Sequence, residues 1–400
     1  MKIVHLVGFF IPQFGGQEYF VPLNQSEMGH EVYIITCDKL YPFPNVENML
    51  KEAGVKDIKK ERKPRTFSIG KVKVYMQKSI FGYMDFVLIR DLKKILEKIK
   101  PDVVFAHECR HGFPALASLY KKKLKYKLIV DQHDFFHHVP THGFVKSALR
   151  YMEYYFLRKY WVNIALKKAD GVIAVTKATK DFLIKTHKIY PNKIKLIPLG
   201  VDTDSFYFDK KNSRKIRKKY RIRKDDIVLI NSGNIVPRKK LELLIEAFND
   251  IAKNTKNIKL LVVGSGHLGY IKKLKELTKK YNLLDNEIFF TGFVKNNELK
   301  NYYSASDIAV WPNNNSISIM EAMACKLPIV MVDLQLSHLV GYDNGLKFSE
   351  HNKDKLRDTL IHLIINKNLR LKMANNSLNA IKNNFSYDNI AKKFLELAKK

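Results

Sequence analysis

Short apolar runs alternate with longer stretches in which apolar residues recur every three or four positions, from one end of the chain to the other. The short runs are rich in β-branched residues and are bounded by turn residues, which is typical of strands buried on both faces of a parallel sheet. The periodic stretches, of which 86–99 and 147–168 are the clearest, predict helices. In the first half, strands are predicted at 2–7, 31–36, 102–106, 128–130, 171–175 and 195–197.

A second series of the same kind begins near Ile227, after the polar, Lys- and Arg-rich segment 202–226. Its strands are predicted at 227–231, 259–263, 287–291, 308–311 and 328–332. Repeated strand–helix units indicate an α/β fold with two doubly wound parallel sheets, each Rossmann-like. We expect domains at 1–203 and 204–380 that face each other across a cleft, and a helix at 381–400 that packs back on the first domain.

Composition agrees with a two-domain protein of the cell interior. A chain of 400 residues with 46% hydrophobic content can bury two cores. Cys37, Cys109 and Cys325 are far apart and form no CxxC pair, so neither a disulfide framework nor a zinc site is expected. No apolar stretch approaches the ~20 residues of a membrane span, and the first apolar run is too short for a secretion signal. A cytoplasmic location is predicted.

The charge is strongly positive, with 71 Lys and Arg against 39 Asp and Glu, a net charge of +32. Such an excess favours anionic partners, although a Lys-rich surface from compositional bias is an equal alternative. No nucleic-acid-binding module is recognised, so nucleic acid is not an expected partner. An aromatic stretch interleaved with Arg and Lys either rests on an anionic membrane surface or packs its rings inward. Its aromatic residues are Tyr151, Tyr154, Tyr155, Phe156, Tyr160 and Trp161.

Two features of the first half are candidates for binding phosphate or moving a proton. Gly15 and Gly16 lie between a strand and a helix, where they form either a phosphate cradle or an ordinary turn. His133 ends a strand and could hydrogen-bond a phosphate or a hydroxyl group, or place a proton. Chemistry alone does not select His133, because other histidines lie close in the sequence. They are His107, His111, His137, His138 and His142.

More specific patterns begin where the first half ends. An Ala-Asp-Gly-hydrophobic strand at 169–175 is followed by Ile-Pro-Leu-Gly-Val-Asp at 197–202, with Phe206 beyond it. These segments resemble the end of the first domain in the retaining glycosyltransferases of family 4. The resemblance covers nearly the whole chain and implies the GT-B fold, in which two Rossmann-like domains enclose the donor.

The segment 231–240 is similar to the family's loop that holds the donor diphosphate with an arginine and a lysine. Lys239 matches the lysine and would stabilise the growing negative charge of the leaving group. Asn234 stands where the family has the arginine, and either Arg238 or Lys240 could substitute for it. The loop therefore departs from the family pattern at one of its two cations.

The segment 311–330 resembles the family's loop and helix with two glutamates eight residues apart. Glu321 matches the second glutamate and is expected to bind the ribose diol. Asn313 replaces the first, which is expected to contact the transferred sugar. Backbone groups before the helix would receive phosphate and sugar oxygens, at Ser316, Ile317 and Ser318. Two further residues are expected beside the nucleobase, Gly292 and Val294.

The resemblance implies transfer of a hexose from a UDP- or GDP-linked sugar to a lipid-linked or glycan acceptor, with retention of configuration. It further implies a role in the synthesis of cell-envelope polysaccharide, with no cofactor besides the donor and no metal. The enzyme is expected in the cytoplasm, either free or bound peripherally to the inner face of the membrane. Catalysis would be positioning and electrostatic stabilisation by His133, Lys239 and Glu321. The departures at Asn234 and Asn313 leave a second hypothesis open, a sugar-nucleotide-binding protein that has lost its activity.

Overall fold

A computed structural model describes residues 1–40, 46–52, 54–83, 85–133, 152–313, 316–334, 337–350 and 352–399. The chain folds into two compact units. The first comprises Met1–Gly200 together with Tyr387–Lys400, and the second comprises Val201–Ser386. The chain thus enters the second unit after Gly200 and returns to the first after Ser386. Within the described ranges, every helix is too short or too polar to cross a membrane.

The first unit contains an eight-stranded sheet in the order β10-β9-β8-β7-β1-β2-β4-β3, and a separate ribbon, β5–β6. All neighbours in the sheet are parallel except β3 and β4, and the ribbon is antiparallel. The strands are β1 (Lys2–Val7), β2 (Glu31–Cys37), β3 (Arg65–Ile69), β4 (Val72–Gln77), β5 (Ser79–Tyr83), β6 (Phe86–Ile89), β7 (Val103–Ala106), β8 (Lys127–Gln132), β9 (Gly171–Ala174) and β10 (Ile194–Leu196).

Helices cover both faces of this sheet, so successive residues of its strands enter different cores. Val4 and Leu6 of β1 belong to one core, whereas Ile3 and Val7 belong to the other. The helices of this part are α1 (Gln17–Glu27), α2 (Val46–Glu52), α3 (Ile58–Glu61), α4 (Leu92–Ile99), α5 (Gly112–Leu124), α6 (Lys159–Lys168) and α7 (Lys177–His187).

The second unit is a six-stranded parallel sheet in the order β13-β12-β11-β14-β15-β16. Its strands are β11 (Ile227–Ser232), β12 (Ile258–Val263), β13 (Ile288–Gly292), β14 (Ile308–Trp311), β15 (Ile329–Val332) and β16 (Gly345–Phe348). Its helices are α8 (Lys210–Lys219), α9 (Leu241–Ala252), α10 (Leu268–Lys280), α11 (Asn296–Ser304), α12 (Ser318–Ala324), α13 (Lys353–Ile365) and α14 (Lys367–Ala380).

The last helix, α15 (Tyr387–Lys399), belongs to the first unit and lies beside α1. Its amphipathic pattern places Ile390, Phe394 and neighbouring apolar residues in the core that also holds β1 residues. The Phe394 ring centroid is 5.2 Å from that of Phe105, on β7. Two parallel α/β sheets, each covered by helices, are the architecture of the GT-B fold.

The periodicity of 86–99 was misleading. The apolar run Phe86–Ile89 is strand β6, which pairs with β5, and the helix α4 begins only at Leu92. Val87 and Ile89 are buried, whereas Phe86 and Leu88 are half-buried, and this alternation is typical of a strand. The polar segment 202–226 contains a regular helix, α8.

Candidate functional site

The order of the second sheet places its functional loops together. The chain passes from β11 outwards to β12 and β13, then returns to β14 on the other side of β11. In sheets of this kind, ligands bind where the strand order reverses, outside the carboxyl ends of the strands. The loops that leave β11 and β14 meet at that point, where the Asn313 side-chain amide donates a hydrogen bond to the Arg238 carbonyl, 3.0 Å.

Lys239 carries a buried charge at this edge of the sheet. It ends the short 3-10 turn Pro237–Lys239 and is only 6% exposed, whereas Arg238 beside it is exposed. Burial, together with the smaller effect of the Arg238 charge, lowers the pKa of the Lys239 ammonium to about 8. No carboxylate of the described residues pairs with it. A buried cation without a counter-ion is costly, so this position favours an anionic ligand.

Glu321 lies on α12 and is 9% exposed. The Tyr303 hydroxyl lies 3.1 Å from its Oε2 and 2.7 Å from the Ser232 hydroxyl. Burial raises the pKa of the Glu321 carboxyl to about 7, and the Tyr303 hydrogen bond opposes that rise. Ligand hydroxyls that donate to this carboxylate would favour its ionised form. The sequence did not single out Tyr303, whose hydroxyl joins Glu321 to the end of β11.

Close backbone packing joins the ends of three strands. Gly233 and Gly264 have φ of +124° and +136°, and a Cβ on Gly264 would come 2.0 Å from the Gly233 carbonyl oxygen. The Gly264 amide in turn donates to the Gly292 carbonyl, 3.1 Å. A Cβ on Gly233 would lie 3.8 Å from the hydroxyls of both Ser316 and Ser318. The structure therefore gathers Arg238, Lys239, Gly292, Asn313, Ser316, Ser318 and Glu321 at one edge.

Three other predicted residues of this unit lie at its margins. Asn234 is exposed, and its side-chain oxygen lies 2.5 Å from where Gly266 would carry a Cβ. Val294 is half-buried two residues beyond β13, and Ile317 is exposed just before α12. In the described contacts, none of these side chains touches Lys239 or Glu321.

In the first unit the order of strands reverses between β1 and β7, and the predicted glycines and His133 meet nearby. Gly15 and Gly16 have φ of +64° and +92°, the left-handed region that favours glycine. They lead directly into α1, whose first residue, Gln17, is buried. The Gln17 side-chain nitrogen lies 3.1 Å from His133 Nε2. The glycine pair and His133 thus belong to one cluster.

Carboxylates surround His133. Asp131 Oδ2 lies 3.5 Å from its Nε2, while Glu18 Oε1 and Glu108 Oε1 lie 3.6 and 3.7 Å from its Nδ1. Burial alone would lower the pKa of His133, but these carboxylates, Asp131 most of all, hold it well above its ordinary value. His133 is therefore an imidazolium at neutral pH. Of the two roles considered for it, donation of a hydrogen bond to an oxygen is favoured over acceptance of a proton.

A buried chain of polar groups continues behind His133. His107 Nδ1 lies 2.6 Å from Asp131 Oδ2, and His107 Nε2 lies 2.9 Å from His5 Nδ1. His5 Nε2 then bonds the Gln25 side-chain oxygen, 2.8 Å. Burial, together with the smaller effect of the nearby His107 charge, lowers the pKa of His5 to about 3. This series of hydrogen bonds therefore contains a neutral His5 and a buried His107–Asp131 ion pair.

Glu18, His107 and His133 lie close enough together to surround one metal ion. Both ring nitrogens of His107 are already engaged, by Asp131 and by His5. A cation would have to displace one of these buried bonds, so the cluster is better satisfied as an ion-pair network. Glu18 and Glu108 were not nominated from sequence, although Glu18 follows the glycine pair and Glu108 follows the end of a strand.

The structure places some of the other histidines and aromatic residues that the sequence singled out in this unit. His111 is buried against Phe9, and burial lowers its pKa to about 3. In the aromatic stretch, Tyr154 is buried and its hydroxyl bonds His187, 2.6 Å, whereas Tyr160 is exposed. Inward packing is therefore the better description for Tyr154. His137, His138, His142 and Tyr151 lie outside the described residues, as does the Phe156 side chain.

Comparison with known families divides the chain in the same way. Residues 24–205 match the family Glycosyltransferase Family 4, and residues 212–380 match Glycosyl transferases group 1. The two matches together leave only the ends of the chain and a short connecting segment uncovered.

Similar proteins cover most or all of the chain. An uncharacterized glycosyltransferase of Methanocaldococcus jannaschii, MJ1069, is 28% identical over 99% of this chain and 98% of its own. The alpha-monoglucosyldiacylglycerol synthase of Acholeplasma laidlawii is 27% identical over 84% of this chain and 80% of its own. Among solved structures, Anabaena Alr3699/HepE in complex with UDP superposes with a TM-score of 0.70, 18% identity and full coverage of both chains.

Proposed function

We propose that this chain, whose residues 24–205 match Glycosyltransferase Family 4 and whose residues 212–380 match Glycosyl transferases group 1, is a GT-B glycosyltransferase that transfers a hexose from a nucleoside diphosphate sugar to a lipid-linked or glycan acceptor. The observation that carries this proposal is that Lys239 and Glu321 are both buried at the edge of the second sheet where its strand order reverses. One supplies a buried cation without a counter-ion, and the other a buried carboxylate. A nucleoside diphosphate offers the complementary groups, a diphosphate and a ribose diol.

We assign the diphosphate to Lys239, with Arg238 as the second cation. Asn234 replaces the arginine of the family loop, and the exposed Arg238 side chain adjoins Lys239 in the same turn. Transfer releases a diphosphate, whose negative charge grows as the glycosidic bond breaks. Two cations from the protein can stabilise that charge, so we propose that transfer needs no divalent cation. For the first unit, we propose that His133, as an imidazolium, donates a hydrogen bond to a substrate oxygen.

We propose that the anomeric configuration is retained. The chemistry of the gathered residues suits a reaction in which the leaving phosphate itself assists the acceptor on the same face of the sugar. The carboxyls near His133 form ion pairs with histidines, and Glu321 is assigned to the ribose. These engagements favour positioning and charge stabilisation over a protein nucleophile.

For the acceptor, we favour a lipid at the inner face of the cell membrane, in a reaction of cell-envelope synthesis. The similar enzyme of Acholeplasma laidlawii is named for a diacylglycerol glycolipid. The net charge of +32 favours association with an anionic surface, where such an acceptor resides. A soluble glycan acceptor is the alternative.

The test is product formation from UDP-glucose, GDP-mannose and related donors with diacylglycerol, glycosylated lipid or oligosaccharide acceptors, in buffer with and without EDTA. Transfer in EDTA, abolished in Lys239→Ala and preserved in Lys240→Ala, is the expected result. A shift in melting temperature with one nucleotide and no transfer to any acceptor would instead favour the binding protein without activity. Mass and NMR analysis of the product gives the anomeric configuration and tests retention.

A further inference from the structure

The ribbon β5–β6 of the first unit exposes an unusual amount of apolar surface. On β5, Ile80, Phe81 and Tyr83 are 59, 52 and 56% exposed. All residues of β5 from Ile80 to Tyr83 are exposed, and the pairing with β6 is irregular between Ser79 and Phe81, so little of this strand is covered by the rest of the unit. An open apolar edge strand is a liability in water, and proteins normally cover such edges.

The ribbon is firmly attached on its other strand. Val87 and Ile89 of β6 are buried in the core of the first unit. The start of β5 is held by Asp38, which accepts hydrogen bonds from the Ser79 amide and hydroxyl at 3.0 and 2.6 Å. The exposed apolar side chains therefore sit on a fixed platform and not on a loose loop.

Basic side chains surround this platform. Lys78 and Arg90 are both exposed at its base, where the Arg90 amide bonds the Lys78 carbonyl, 3.0 Å. The Lys39 ammonium lies beside the ribbon, 2.6 Å from where Gly82 would carry a Cβ. Asp85, the acidic residue just before β6, forms ion pairs with Arg110 and Arg158. The exposed charge around the apolar strand is therefore positive.

We propose that the β5–β6 ribbon is the membrane-docking element, which inserts Ile80, Phe81 and Tyr83 into an anionic bilayer while Lys39, Lys78 and Arg90 contact lipid phosphates. A strand advances about 3.3 Å per residue, so Ile80 and Tyr83 span about 10 Å, comparable to the depth at which interfacial segments bury their apolar face. A second copy of the chain is a poorer occupant, since the same three cations would face one another. The inference rests on the proposed function, because a lipid acceptor is the reason for the enzyme to dock on a membrane. Vesicle binding can nevertheless be measured without any acceptor.

The test is flotation of the full-length protein, without donor, on vesicles of phosphatidylcholine alone or with added phosphatidylglycerol. We expect binding to the anionic vesicles. In the double variant Ile80→Ser with Phe81→Ser, the partition coefficient should fall at least about tenfold. The matched control, Leu268→Ser with Ile365→Ser, removes two side chains of the second unit that are 82 and 72% exposed and should bind as the wild type does.

A charge variant separates the electrostatic contribution of the cations from the apolar contribution of β5. Lys78→Gln with Arg90→Gln should bind anionic vesicles about 25-fold more weakly and lose most of the preference for phosphatidylglycerol, because each of the two cations near an anionic surface contributes about a fivefold effect. Thermal unfolding of both ribbon variants should match the wild type, since the replaced side chains are already in solvent.

Three results would overturn the inference. They are wild-type protein that binds neither vesicle, a ribbon variant that binds as tightly as the wild type, and a dimer in vesicle-free solution that the ribbon substitutions dissociate. Transfer to a water-soluble acceptor, measured in parallel, separates this inference from the proposed function. If the ribbon variant no longer binds vesicles but still transfers sugar, the membrane-docking inference and the proposed function are both supported. If one of these three results is obtained while transfer persists, only the membrane-docking inference is wrong.

Discussion

The substitution Glu321→Gln should stabilise the ligand-free protein above neutral pH while it weakens the response to nucleotides. Burial raises the pKa of this carboxyl from 4.5 to about 7, so its ionisation is harder in the folded protein than in the unfolded chain. At about 1.4 kcal/mol for each unit of pKa, this ionisation costs the folded state roughly 3 kcal/mol. A glutamine is neutral and avoids that cost, yet its amide oxygen can still accept the Tyr303 hydrogen bond.

The pH dependence follows from the direction of the shift. Below about pH 4.5 the carboxyl is protonated in both states, and the cost is absent. As the pH rises towards 7, the unfolded chain loses the proton first, and the free energy of unfolding of the wild type falls. The loss is complete above about pH 7. A domain of this size changes its melting temperature by about 2–4 °C per kcal/mol, so the variant should melt roughly 6–12 °C higher at pH 8 and nearly with the wild type at pH 4.5.

The chain offers a suitable reporter. Of its two tryptophans, Trp311 is buried at the end of β14 in the second unit, and Trp161 is in the first. In a Trp161→Phe background, tryptophan fluorescence therefore follows the unfolding of the unit that contains Glu321. Glu276→Gln is the control, because that side chain is 66% exposed on α10. It should show no pH-dependent gain.

Repeating the melts with UDP and GDP tests the functional role. The nucleotide that stabilises the wild type should shift the variant much less, because a carboxylate lost from the ribose site weakens binding and with it the ligand-linked stabilisation. An equal gain at pH 4.5 and pH 8 would refute the argument from burial. A nucleotide shift that survives unchanged would refute the assignment of Glu321 to the ribose.

Three other predictions concern both units. Lys239→Met removes a buried ammonium whose pKa burial lowers to about 8, so it should raise the melting temperature below that pH while donor affinity falls at least about tenfold; Lys240→Met is the control, and equal affinities would contradict the assignment. Asp131→Asn should move the alkaline loss of transfer rate to lower pH, because this carboxylate does most to raise the pKa of His133; an unchanged pH profile would count against the imidazolium. Phe394→Ala should lower the free energy of unfolding by about 3–5 kcal/mol in a urea titration, since its ring is fully buried, and a loss below about 1 kcal/mol would mean that α15 adds little to the core.

Local patterns were sufficient where one physical cause dominates. A β-branched run between turn residues has few alternatives to a buried parallel strand, so most strands of both sheets were predicted within a residue or two. The run Phe86–Ile89 failed because four consecutive apolar residues fit a helix as well as a strand. Its pairing with β5 decides the matter, and pairing between segments is not a local property.

The candidate site residues likewise differ in how far local sequence predicts them. Lys239 and Glu321 stand in extended motifs, so resemblance sufficed to nominate them. The setting of His133 depends on carboxylates from three separate parts of the chain, Glu18, Glu108 and Asp131. Nothing in the spacing of those residues indicates that they meet. Only the order of the strands, which brings the ends of β1, β7 and β8 to one edge, explains why this histidine differs from its neighbours.

The return of the last helix to the first unit has a consequence for synthesis on the ribosome. Proteins made of two units usually complete the amino-terminal one while the rest is still being translated. Here the core that holds Ile3 and Val7 also contains Ile390 and Phe394, which are translated only after the whole second unit. The second unit, Val201–Ser386, is released earlier and can fold first. A nascent chain that stops before Tyr387 therefore lacks part of the core of its first unit, while the second unit is complete.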